Sequence, residues 1–386
     1  MTSTTTKGPL AGIRVIELGG MGPGPFAGMT LGDMGAEVIR VERPGGVGAF
    51  PGDEQRDTLN RGKQSVVLDL KDPAAVEAVL AMIETADVLI EGHRPGVTER
   101  LGLGPEVCLE RKPSLVYGRM TGWGQTGPLA TSAGHDVDYI AITGALHAIG
   151  PNDGKPSIPL NLVGDFGGGG MYLVSGILAA LIESKTTGTG QVVDAAIVDG
   201  TLHLLSAVHG LINGGAWKDV RGDNFLDGAA PYYGVYDTAD GQYMAVGAIE
   251  SKFYRLFVAG LGVDVDLEAQ EDRTSWVSTR EKFAAAFKTK TQNEWVEIFT
   301  GTDACVAPVM SLLGAQEHPH IKERGSLLSP DGLLQAAPAP RFSNYDVSLG
   351  TAPPALGEHT ENVLRAAGVD PHPLLASGAA YQRNSA

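Results

Sequence analysis

The sequence predicts an α/β fold built on a parallel sheet, followed by a smaller α+β unit. Three observations carry this reading. Short runs rich in Val, Ile and Leu alternate with apolar stretches of helical spacing over residues 10–199. Glycine clusters sit where such a run passes into such a stretch, at 19–24 and 164–170. The alternation then gives way to a Gly/Asp/Pro-rich segment and a shorter mixture of strand and helix signals at 235–315.

The elements follow in order. Residues 13–18 form a β-branched run and read as the first strand, and 25–34 as the helix after the first glycine cluster. Strands are expected at 37–41 and 65–70, and a helix at 73–86 with Pro73 in its first turn. Two more strands fall at 87–91 and 115–118. Residues 160–163 read as a further buried strand ending in Gly164-Asp165-Phe166-Gly167, with a long helix over 171–184 and a strand over 190–196. The second unit shows strands near Tyr236 and Met244 and helices over 253–261 and 280–287. The expected division is a disordered terminus at 1–9, a large domain at 10–199, a linker at 200–234, the small domain at 235–315, a Pro/Ala-rich return linker at 316–355, and a final segment at 356–386. A short helix is expected over 360–367, and the order of residues 370–386 is left open.

Composition narrows the function. The chain has 386 residues and a net charge of −16, which argues against nucleic-acid binding by bulk electrostatics. Its two cysteines, Cys108 and Cys305, form no CxxC pair and suggest neither a disulfide framework nor a zinc site. A reducing cytoplasm fits. The 53 glycines follow no collagen period and point to tight turns and close backbone approaches. No apolar run of membrane-spanning length is apparent, so no membrane partner is expected. His318-Pro319-His320 reads as a loop, with no third metal ligand in sight.

Gly20-x-Gly22-x-Gly24 invites a dinucleotide reading, but Pro23 and Pro25 interrupt it. Arg40, not an acidic residue, stands where a ribose would be held. Basic residues recur after strand ends: Arg40, Arg43, Arg61, Lys63, Arg94 and Arg100. Such ends converge on the usual ligand crevice of a doubly wound sheet, where guanidinium and ammonium groups suit a phosphorylated ligand. Gly134-His135-Asp136 follows a Gly/Pro-containing loop. Asp165 is placed at a helix start, with its backbone N–H expected to be open to a ligand.

Together these motifs resemble the α-methylacyl-CoA racemases of the family III CoA-transferase (CaiB/BaiF) superfamily. The likeness rests on Leu31-Gly32-Asp33-Met34-Gly35-Ala36-Glu37, Asn60-Arg61-Gly62-Lys63, Arg94-Pro95-Gly96-Val97, Thr121-Gly122-Trp123-Gly124-Gln125, Gly134-His135-Asp136, Gly164-Asp165-Phe166-Gly167-Gly168, Asp227-Gly228-Ala229-Ala230-Pro231 and Gly247-Ala248-Ile249-Glu250. It implies a large Rossmann-like domain plus a small α+β domain, interlocked as a homodimer. It implies that His135 and Asp165 are the acid/base pair. Glu250, from the partner chain, would orient the histidine. Arg40, Arg61, Lys63, Arg94 and Arg100 match positions associated with the CoA moiety. The substrate would be a 2-methyl-branched acyl-CoA. No metal or other cofactor is implied, since CoA arrives as part of the substrate, and the enolate oxygen would be met by backbone N–H groups at Asp165. Asp138-Tyr139 departs from the family's usual Asn-Tyr. Two alternatives remain: a CoA-transferase using Asp165 as nucleophile, and a non-catalytic acyl-CoA binder.

Overall fold

The computed structural model describes residues 8–46, 54–346 and 348–383. The expected frayed end at 1–7 and the extreme C-terminal residues 384–386 lie outside them. The chain divides into two compact units: residues 1–143, 160–204 and 322–386 in the first, and residues 144–159 and 205–321 in the second.

The first unit is built on a parallel sheet. Its strands are β1 (Arg14–Leu18), β2 (Glu37–Glu42), β3 (Lys63–Leu68), β4 (Val88–Glu91), β5 (Val116–Thr121) and β6 (Val192–Ala196). Their order is β3-β2-β1-β4-β5-β6, so the chain reverses its direction of winding between β1 and β4. Alternate side chains of each strand enter opposite cores, as a strand's period of two requires. Val15 and Val38 join Ala27 and Leu31 of helix α1 (Pro23–Asp33), while Ile16 and Ile39 face the opposite layer with helix α2 (Pro73–Glu84). Burial on both faces explains why these strands read as near-continuous apolar runs.

Buried ion pairs stitch the carboxyl edge of this sheet. Glu17 of β1, fully buried, accepts from Arg40 of β2 at 3.1 Å and from Lys63 of β3 at 2.7 Å. Gly28 of α1 packs against that carboxylate so closely that a Cβ there would lie 2.1 Å from Oε2. On the other side of β1, Glu91 of β4 accepts from Arg119 of β5 at 2.8 Å.

Two expectations are corrected here. Residues 160–163 are not a buried strand. Leu160 and Leu162 are exposed, and Leu162–Gly170 forms a π-helical segment leading into the helix Met171–Thr187. A short apolar run does not distinguish strand from helix, and here the following glycines accept the wider turn. By length and composition, Leu162–Thr187 also qualifies as a membrane span, against the expectation of none. Leu173, Val174 and Ile177 on its inner face are core residues of the first unit. Residues 371–383, left open by the sequence, are ordered. Asp370 caps a helix at Pro371–Ser377, and Ala380–Tyr381 pairs antiparallel with β3 at the sheet's edge.

The second unit has a three-stranded antiparallel sheet, β7 (Tyr233–Asp237), β8 (Tyr243–Gly247) and β9 (Val306–Pro308). Its core is aromatic: Tyr236 stacks on Phe287, while Phe257 meets Phe283, and Phe287 meets Trp295, edge-on. The helix Gln292–Phe299 escaped the sequence reading, although Thr291 and Glu294 form its capping box. His318 and His320, expected in a loop, flank the start of the helix Pro319–Arg324.

Glu17→Ala should lose about 3–5 kcal/mol of unfolding free energy in urea titrations, because it leaves buried Lys63 without its carboxylate and Arg40 with Glu42 alone. A loss below about 1 kcal/mol, the level of a surface pair, would contradict the account.

Candidate active site

A cleft of about 500 Å³ opens at the carboxyl edge of the parallel sheet. Its walls are the loops after β1 (Gly20 to Pro25), β4 (Gly92 to Pro95) and β5 (Thr121 to Trp123), closed by Ser132 to His135, Tyr139 and Asp165. It therefore sits at the β1/β4 reversal, where open α/β sheets leave room for ligands.

His135 and Asp165 both line this cleft. His135 is exposed, and its extended backbone precedes helix α3 (Asp136–Ile142). Asp138 accepts the backbone N–H of His135 at 3.0 Å, so the departure at 138 serves as a cap on the histidine's own helix. Asp165 lies in the π-helical segment and is half-buried. Burial, and next the charge of Asp136, push its carboxyl up to about 6; a hydrogen bond from Asn161 and the proximity of His135 pull the other way. A carboxyl poised there gives or takes a proton near neutral pH.

Asp165 is not placed with a free backbone donor. Its N–H is donated to Asp136 Oδ1 at 2.6 Å. It is therefore committed, and the expected enolate donor at this amide is withdrawn. Gly164 makes the approach feasible, since a Cβ on it would come within 2.3 Å of the same oxygen.

The basic residues separate by environment. Arg94 is exposed and lines the cleft. Arg100 is exposed beside Gly96, next to lining Pro95, and does not itself line the cleft. Arg40, Arg61 and Lys63 are buried and spend their charges inside the fold, on Glu17 and Glu42, on Asp33, and on Glu17 respectively. Burial lowers the Lys63 ammonium below its ordinary value despite Glu17. Arg40 and Lys63 also reach the cleft wall, donating to the carbonyls of Gly20 at 3.3 Å and Pro25 at 2.9 Å. Glu250 belongs to the second unit, where it is exposed and precedes the helix Ser251–Leu261.

Several cleft residues carried no role in the sequence reading. Tyr139 donates to the carbonyl of Gly134 and meets Trp123 edge-on at 4.7 Å. His93, half-buried, is held below its ordinary value by desolvation. Asp136 stood inside the Gly-His-Asp string, yet adjacency alone did not reveal that it reaches the peptide 29 residues away.

The model of CoA-transferase family III matches residues 10–360. The chain belongs to that family. The α-methylacyl-CoA racemase of Mus musculus is 46% identical over 370 residues, 95% of each chain. The Homo sapiens protein of the same name is 44% identical, over 97% of this chain and 96% of its own. Among solved structures, a CAIB/BAIF family protein from Brucella suis superposes with a TM-score of 0.80 at 26% identity, covering 94% of this chain and 100% of its own. The mixed α/β fold with a central parallel sheet is thus that of family III.

Asp165→Asn tests the raised carboxyl. A carboxyl raised in the folded state stabilises the fold fully below its unfolded value of about 3.9, and that contribution fades as pH rises through about 6. The asparagine variant should therefore match the wild type near pH 4 and exceed it above pH 7, by roughly 1–3 kcal/mol in denaturant titrations. Equal stability across that range would refute the shift. Gly164→Ala should cost about 1–3 kcal/mol by the same measurement, through overpacking against Asp136.

Proposed function

We propose that the protein interconverts (2R)- and (2S)-2-methylacyl-CoA thioesters by 1,1-proton transfer through an enolate. The observation that carries this reading is the pairing, in one cleft, of an exposed His135 with a carboxyl poised at about 6, in a chain 46% identical to a racemase of that name.

The thioester carbonyl acidifies the α-proton. One group takes that proton as the C–H electron pair moves into the enolate. The other returns a proton to the opposite face, the carbonyl re-forms, and each group ends in the other's starting state. Positioned proton transfer of this kind contributes about 10²–10⁴-fold. With its carboxyl at about 6, Asp165 is mostly ionised at neutral pH but keeps an accessible protonated form. It serves as base in one direction and acid in the other. The reaction is redox-neutral and calls for no metal or electron carrier.

We assign the cationic contacts with CoA to Arg94 in the cleft wall and to Arg100. Arg40, Arg61 and Lys63 support that edge from within. Following the family likeness, the working unit is an interlocked homodimer in which Glu250 of a second copy orients His135.

Incubating a single 2-methylacyl-CoA epimer in deuterated water should give α-deuterium uptake together with epimerisation, followed by NMR. His135→Ala and Asp165→Asn should each slow it by roughly 10² or more. Full exchange in His135→Ala removes the assignment. CoA passing to an added carboxylate, without α-exchange, would instead mark a family III transferase with Asp165 as nucleophile. Exchange in the direction where Asp165 takes the proton should rise as pH passes about 6, and the asparagine variant should lose that rise.

A further inference from the structure

We propose that Asp136 is the positioning residue of this site: its carboxylate grips the peptide of Asp165 and so fixes where the Asp165 carboxyl stands in the cleft. The kinetic part of this inference rests on the racemase reading; the structural part does not.

The geometry is specific. Asp136 opens helix α3, one residue after His135, and is only 8% exposed. Its Oδ1 accepts from the N–H of Asp165 at 2.6 Å. The amide of Gly164 also acts on this carboxylate. Nothing larger than glycine fits at 164, because a Cβ would meet Oδ1 at 2.3 Å and Ile140 Cγ2 at 2.9 Å. The two proposed proton-transfer residues are thus tied to each other through one side chain, His135 as its neighbour in sequence and Asp165 as its hydrogen-bond donor.

The choice of a carboxylate matters. Its second oxygen, Oδ2, is buried and makes no hydrogen bond. An asparagine would hold the same peptide through its carbonyl without burying a charge. Burial raises the Asp136 carboxyl itself, and backbone donors only partly offset that. What the carboxylate adds is negative charge beside Asp165, which favours the protonated form there.

The groups facing Asp165 are few. From α3 and its cap come His135, Asp136 and Tyr139, and from the preceding turn Asn161. Helix α1 meets it with Gly22. Among cations, Arg94 lines the same cleft from the loop after β4, and Arg119 of β5 is committed to Glu91 and Glu99. Of these charges, Asp136 and His135 are those that move the Asp165 carboxyl.

The test compares wild type, Asp136→Asn and Asp136→Ala by ¹³C NMR titration of γ-labelled aspartate. The Asp165 resonance is identified by its loss in Asp165→Asn. In folded Asp136→Asn, the Asp165 midpoint should fall from about 6 by about one pH unit, the scale of a neighbouring charge. On 2-methylacyl-CoA, Asp136→Ala, which removes the grip, should drop kcat roughly tenfold or more with KM within about twofold, and Asp136→Asn, which keeps it, should drop kcat less. An unmoved midpoint in Asp136→Asn overturns the proposal, as does an unchanged kcat in Asp136→Ala. If the wild type exchanges no α-proton, the racemase reading fails while the midpoint still decides the role of Asp136.

Discussion

Burying carboxylates at the carboxyl edge of the sheet is the constraint on which the rest of this structure depends. A buried carboxylate is costly unless it is paired, and the fold meets that cost differently at each one. Glu17 has Arg40 and Lys63, Glu91 has Arg119, and Asp136 has backbone N–H groups. Asp165 has one long contact of 3.4 Å from Asn161 and a like charge nearby. It is the least compensated of the four, and it is the one in the cleft beside His135. The gradient from full to poor compensation is what separates framework from chemistry along a single sheet edge.

The sheet was largely legible in the sequence because burial on both faces makes strands into apolar runs. Starts such as Asp72-Pro73 announced their helix, as capping and a fixed φ predict. The 160–170 region was not legible. Leu160, Asn161, Leu162 and Val163 have a strand's composition, and only the hydrogen bond from the amide of Phe166 back to the carbonyl of Asn161, five residues earlier, reveals the π turn. The capping box of Thr291 and Glu294 was present in the sequence but passed unread among polar neighbours.

At the site, residue types pointed to His135 and Asp165, and the family likeness named their roles. The partners were invisible. A sequence shows six basic residues after strand ends, but not that Lys63 is sealed against Glu17 while Arg94 stands in the cleft wall. Pairing of charges across strands depends on register, here Arg40 opposite Glu17, and register follows from the whole sheet. The same holds for Asp136, whose partner peptide is close only after α3 and the π turn have packed.

The antiparallel edge strand Ala380–Tyr381 has a consequence for biosynthesis. Strand β3 is made early, yet its outer neighbours arrive late. The hydroxyl that accepts from Val67 N–H belongs to Thr360, 293 residues further on. Until then, β3 presents unsatisfied amides to its surroundings, the kind of open edge that recruits other chains. A ribosome adding about 5–20 residues per second leaves that edge uncovered for tens of seconds. The tail therefore acts as the closing stitch of the sheet, and protection of β3 during synthesis falls to whatever first shields the nascent chain.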